Sequence, residues 1–161
     1  MARPPRAELA HNTELITDPA LFAREHRAAS WLYLCGEEFA AMDGGMSYAD
    51  VQAAVDVSAN VVSDPPRNLN MDLARRQVAA LDDLPRPTLV TCRTGARSSA
   101  LVYLYEGLHS GESAEQVLAR AESDGAPFVR SAECRVWVEQ GLRELSEGGS
   151  RDSGGTRSAA P

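Results

Sequence analysis

In the stretch Thr88-Leu-Val-Thr-Cys92-Arg-Thr-Gly95-Ala-Arg97-Ser98-Ser99, an arginine follows a cysteine by five positions. An apolar, strand-like run delivers the cysteine, and a helix-like segment from Ser98 to Leu108 follows. A loop between a strand and a helix N-terminus turns backbone N–H groups inward at the positive end of the helix. Such a loop binds anions and favours thiolate over thiol in a cysteine placed within it. The thiolate is the nucleophilic form, so the pattern makes Cys92 a candidate nucleophile facing a negatively charged substrate. Gly95 lets the turn bend and an anion approach the backbone. Arg97 supplies a planar, permanently charged fork, and the loop from Arg93 through Thr94, Gly95 and Ala96 to Ser98 is the candidate anion cradle.

The elements that must position this loop can be read from periodicity and caps. Asp18-Pro19 marks the start of a helix to about Ala29, and Ser30–Cys35 is an apolar run of strand length. A short helix is expected from about Ser47 to Val55. Val57, Ala59 and Val61 alternate as in a strand, and Asp64-Pro65-Pro66 breaks it. From Asn70 the spacing of Met71, Ala74, Val78 and Leu81 predicts a helical face. Leu89 and Val90 form the strand before Cys92. Leu101, Leu104, Tyr105 and Leu108 then predict an amphipathic helix. Ser113 and Gln116 make a capping box for the next helix, and Ser131 caps a last one carrying Cys134, Trp137, Val138, Leu142 and Leu145. Helices alternating with short buried strands imply an α/β domain with a mostly parallel sheet in three layers. Ligands of such sheets bind outside the carboxyl ends of the strands, where Cys92 falls.

The 161 residues fit one domain. We read 1–12 as a flexible N-terminus, 13–145 as the catalytic domain and 146–161, rich in Gly, Ser and Arg, as a disordered tail. The net charge of −7 argues against nucleic-acid binding. No apolar run reaches transmembrane length, so no membrane partner is expected. The first residues lack the apolar core of a secretory signal, and their arginines and alanines also suit an organellar presequence; a cytoplasmic location is the simpler expectation. Cys35, Cys92 and Cys134 show no paired or metal-ligand spacing. Neither a disulfide scaffold, a metal nor a cofactor is expected. Cys35, Cys134, Trp31 and Trp137 sit on apolar patterns and read as core, while His11, His26 and His109 read as solvated. Glu37-Glu38 reads as a charged loop that could line the mouth of the site.

The segment Cys92-Arg-Thr-Gly-Ala-Arg97-Ser98 resembles the active-site loop shared, in variants, by rhodanese sulfurtransferases and cysteine-dependent protein phosphatases. Phosphatases place five residues between Cys and Arg; here there are four, Arg93 to Ala96, which resembles the tighter rhodanese loop. The two helices after the loop helix are instead similar to dual-specificity-phosphatase topology. Both features meet in the phosphatase-like domain of β-lactamase-hydrolase-like proteins, which the stretch from about Thr13 to Leu145 resembles.

That resemblance implies a thiol enzyme in which Cys92 attacks and Arg97 clamps the anion. Ser98 caps the helix and assists the leaving thiolate, and Arg93 is either a rim charge or an ordinary surface arginine. In a phosphatase a general acid is needed, and Asp64 stands about where phosphatases keep theirs; a turn-forming Asp before two prolines is the competing reading. Thr91 stands where phosphatases carry a histidine. Loop length, Thr91 and the doubtful acid favour sulfur transfer through a persulfide on Cys92. The alternatives are a phosphatase working through a thiophosphate intermediate and a non-catalytic anion-binding module. The expected substrate is a small anion: thiosulfate, a persulfide or a phosphate ester. A dioxygenase or hydrolase is the implied protein partner.

Overall fold

The computed structural model describes residues 8–63 and 69–153, with side chains to 146. Four short strands, β1 (Leu9–His11), β2 (Ser30–Tyr33), β3 (Val57–Asn60) and β4 (Thr88–Thr91), form one sheet in the order β1-β4-β2-β3. All three pairings are parallel. β2 and β4, the two inner strands, are buried along their whole length. A strand covered on both faces has no polar side to alternate with, which is why these two stand out as continuous apolar runs.

Among the described residues seven α-helices connect and cover the sheet: α1 (Pro19–Glu25), α2 (Glu37–Ala40), α3 (Tyr48–Ala54), α4 (Met71–Asp83), α5 (Ala96–Ser110), α6 (Ala114–Asp124) and α7 (Ala132–Ser153). A 3-10 turn, Pro127–Arg130, leads into α7. The caps expected at Asp18, Ser113 and Ser131 form, whereas the helix expected to be capped by Ser98 starts at Ala96 with Gly95 as its cap. Asp18 accepts the Leu21 N–H at 3.1 Å, Ser113 and Gln116 complete their capping box, and Ser131 accepts the Cys134 N–H at 3.1 Å. Helix α1 packs on α3, while α4, α6 and α7 gather around α5, which itself lies on β1 and β4.

Four expectations need correction. Leu9–His11 is a strand, not part of a flexible terminus; three residues are too few to show alternation, and pairing with β4 orders them. Helix α7 runs past Leu145 to Ser153 instead of giving way to coil there, because a packed helix propagates beyond its contacts. Helix α5 is not amphipathic: every residue from Arg97 to Gly107 is buried, since sheet and helices enclose it on all sides. On α4 the buried residues are Leu73, Ala74, Gln77 and Leu81. The face turns towards Gln77 because its amide donates to the Val61 carbonyl at 3.1 Å.

Candidate active site at the β4–α5 loop

Cys92 leaves β4 at the carboxyl edge of the sheet, and α5 begins four residues later at Ala96. Gly95 caps α5 with no side-chain acceptor of its own. The first N–H groups of the helix therefore lack a capping partner, and two of them serve the cysteine. Gly95 N–H donates to Sγ at 3.2 Å and Ser98 N–H at 3.4 Å. Gly95 has φ of +107°, and a Cβ there would lie 2.2 Å from the Asn12 carbonyl oxygen. Glycine is therefore required twice, for the left-handed backbone and for the close approach.

The side chain of Asn12 holds the loop from the far side. His11 pairs with Val90, so Asn12 emerges from β1 beside Thr91 and Cys92. Its Oδ1 accepts the Cys92 N–H at 3.2 Å and the Ser98 hydroxyl at 2.9 Å. Its Nδ2 shares two hydrogens among the carbonyls of Glu14, Cys92 and Arg93, at 3.0, 3.0 and 3.2 Å. Asn12 is buried, and it is the site residue that sequence reasoning missed. Nothing in the local pattern around it signals its role, because the loop groups it binds lie some eighty positions away.

Ser98 has one hydroxyl hydrogen, and Asn12 takes it. The 3.4 Å contact between Ser98 Oγ and Cys92 Sγ is thus made through an oxygen lone pair, which can accept from the thiol. A thiolate would draw the same hydrogen towards sulfur, so Ser98 is shared between Asn12 and Cys92.

Arg97 lies in the first turn of α5 and is only 7% exposed. Its Nη2 is 3.6 Å from Glu133 Oε1, at the start of α7. Its Nη1 is buried with no hydrogen-bond partner. A buried guanidinium donor without an acceptor is costly, and an oxyanion beside it would remove that cost. Of the other loop residues, Arg93 and Thr94 are exposed at the rim, while Ala96 is half-buried. Glu37 and Glu38 are exposed and open α2.

Thr91 takes the Trp31 indole N–H at 2.8 Å and so spends its hydroxyl on the core. Cys35 and Cys134 are buried, and burial pushes the Cys134 thiol up from its ordinary value. His11 is half-buried rather than solvated; as the carbonyl of Asn12 can only accept, its Nδ1 donates to that oxygen at 3.0 Å. Asp64 lies outside the described residues. The chain leading to it is anchored at the same edge as Cys92: Ser63 N–H donates to Leu34 O at 2.8 Å, and Leu34 N–H to Thr91 O at 2.9 Å. Among the described residues no His, Cys, Asp and Glu side chains gather in a group that could hold a metal ion, and no helix is long and apolar enough to cross a membrane.

No family model matches this sequence, and no curated protein does. Solved structures do. The core catalytic domain of the PP-IP phosphatase Siw14 from S. cerevisiae superposes with a TM-score of 0.61 at 13% identity, over 95% of this chain and 96% of that one. A DUF442 protein from Shewanella putrefaciens gives 0.61 at 15% identity, over 89% and 88%. TpbA from P. aeruginosa gives 0.55 at 14% identity, over 86% of each chain. The fold is the dual-specificity-phosphatase-like α/β fold. At these identities the likeness speaks for the architecture; the chemistry has to be argued from the site.

Proposed function

We propose that this chain is a cysteine-dependent hydrolase of phosphate monoesters, akin to the phosphatase-like domain of β-lactamase-hydrolase-like proteins. The observation that carries this is the pairing of Cys92 Sγ, held by two helix N-terminal N–H groups, with a buried arginine that has an open donor. The fold shared with named phosphatases supports phosphoryl transfer over the sulfur transfer that loop length, Thr91 and the doubtful acid favour.

In this mechanism Arg97 and the loop N–H groups bind the non-bridging phosphoryl oxygens. The Cys92 thiolate attacks phosphorus, an S–P bond forms, and the ester P–O bond breaks with its electron pair leaving on oxygen. Asp64 gives that oxygen a proton. Water then attacks the phosphocysteine, losing a proton to the same carboxylate as the S–P bond breaks and inorganic phosphate forms. Ser98 meets the departing thiolate with its hydroxyl hydrogen, released from Asn12. Glu133 holds the Arg97 fork in register with the loop. No cofactor takes part.

The test is turnover of an aryl phosphate by wild type, Cys92→Ser and Asp64→Asn. Cys92→Ser is expected to be inactive, and Asp64→Asn to lose about a hundredfold in kcat. A fully active Asp64→Asn would remove that residue from the mechanism.

Sulfur transfer stays as the second reading because four residues, not five, separate Cys92 from Arg97. Thiosulfate would then donate its outer sulfur to the thiolate, leaving sulfite and a persulfide on Cys92. A single cyanide-labile sulfur on intact wild-type protein, absent from Cys92→Ser, would support it. If that adduct forms and phosphate esters are not turned over, sulfur transfer takes first place.

A further inference from the structure

One face of α7 begins at the site and runs away from it. Glu133, 3.6 Å from Arg97, is followed on the same face by Val136, Trp137 and Gln140, at the i+3, i+4 and i+7 positions. At 1.5 Å per residue that face is about 10 Å long. With Leu69 and Ala132 these residues line an open cavity of about 370 Å³. Val136 is 59% exposed and lies on the open side of this lining. The Trp137 indole N–H is committed to the Asn70 carbonyl at 2.9 Å, so the ring is fixed.

We propose that this cavity is the leaving-group subsite: it takes the uncharged, apolar organic group of an ester whose anionic head sits on Cys92 and Arg97. The proposal rests on the phosphate-ester reading above and names the substrate class within it. Three observations commit the occupant. The cavity adjoins Arg97 at Glu133, which lines the one and pairs with the other. The helix face that lines it rises about 10 Å from Glu133 to Gln140, enough to lie along one or two aromatic rings. Its lining contains no cation and one carboxylate, so a second phosphate or an acidic side chain would be repelled. A second cavity, of about 330 Å³, adjoins Asn12, but Glu14, Asp18 and Glu25 line it and make it a poor seat for an anionic ester.

The test measures binding, so it does not depend on turnover. Calorimetry would compare methylphosphonate with 1-naphthylmethylphosphonate on wild type, Val136→Glu and Val57→Glu. Val136 and Val57 are both exposed, so neither change empties the core, and Val57 at the start of β3 controls for added charge. The naphthyl compound is expected to bind wild type and Val57→Glu about tenfold more tightly than the methyl one. In Val136→Glu the ratio is expected to fall within about twofold. An equal ratio in all three proteins, no preference in wild type, or binding of neither compound would each overturn the subsite. Hydrolysis of 1-naphthyl phosphate run alongside separates the two claims. Turnover indifferent to Val136→Glu removes the subsite and leaves the hydrolase. Absent turnover with the Val136-dependent preference intact does the reverse.

Discussion

Two arginines that meet α5, Arg97 and Arg120, differ in how they are used. Arg120, reaching back from α6, has an acceptor for each of its three nitrogens. It donates to Glu112 at 3.1 and 2.8 Å and to Glu106 at 3.3 Å, and its guanidinium stacks 4.8 Å from the centroid of Tyr103. Glu106 is itself buried, so each charge answers the other. Arg97, at the opposite end of α5, has one ion pair of 3.6 Å with a half-exposed carboxylate and a buried nitrogen with no acceptor. An orphan nitrogen is not diagnostic alone: Arg86 has one too, at Nε. Yet Arg86 commits both terminal nitrogens, to the Leu81 and Leu84 carbonyls, Thr88 and Tyr105. The lesson is that a structural arginine closes its donors within the fold, whereas an arginine kept for a ligand leaves the end of its fork open.

The sharpest way to break that contrast is to remove each charge while keeping its stem. Arg97→Met is expected to cut kcat/KM by about a hundredfold to a thousandfold. Thermal unfolding should then show a stability change within about 1 kcal/mol, since the Glu133 pair is largely solvent-screened. Arg120→Met is expected to do the opposite: activity within a few-fold at a permissive temperature, and a loss of about 3 kcal/mol from taking the cation away from the buried Glu106. Equal stability losses for the two would erase the distinction.

Gly95→Ala tests whether the loop's geometry, and not only its charge, is what Arg97 works with. The new methyl would meet the Asn12 carbonyl in a backbone region that disfavours it. The expected result is near-complete loss of turnover with about 2 kcal/mol of destabilisation. Full activity would mean the loop relaxes freely.

Asn12→Ala should cost about 2 kcal/mol by stranding the Cys92 N–H and two loop carbonyls, and about tenfold in kcat with KM little changed. Asn12→Asp keeps the acceptor for Ser98 but sets a negative charge beside the sulfur, so its kcat should fall below that of the alanine variant. If both variants lose stability and keep kcat, Asn12 is scaffold and nothing more.

The smallest effect concerns His11. Burial lowers its pKa below the ordinary 6.5, against the raising effect of its bond to Asn12. The neutral ring is thus the form the fold prefers, and the unfolded chain takes up a proton first as pH falls. Stability should decline as pH drops from about 6.5 towards the lower folded value and level off below it. Melting curves of wild type and His11→Asn across that range would show it, with a shallower slope expected for the variant. Equal slopes would place the pH sensitivity elsewhere.

Sequence alone determined what local chemistry can determine. The inner strands were legible because burial on both faces leaves unbroken apolar runs. The helix starts were legible because Asp18, Ser113 and Ser131 cap their own next turn, and the Cys92–Ser98 loop because its donors, glycine and arginine lie within seven residues. Tertiary structure decided the rest, through contacts between residues far apart in the chain. Burial on every side of α5 depends on β1, β4, α4, α6, α7 and the Pro127–Arg130 turn, and the rotation of α4 on a bond from Gln77 to Val61. The ordering of Leu9–His11 depends on β4, and the clamp of Asn12 on the nucleophile loop exists only once that strand is in place. Spacing likewise brought Arg97 near Cys92 in the chain, but only packing against the start of α7 showed how its charge is met and that one of its nitrogens has no hydrogen-bond partner.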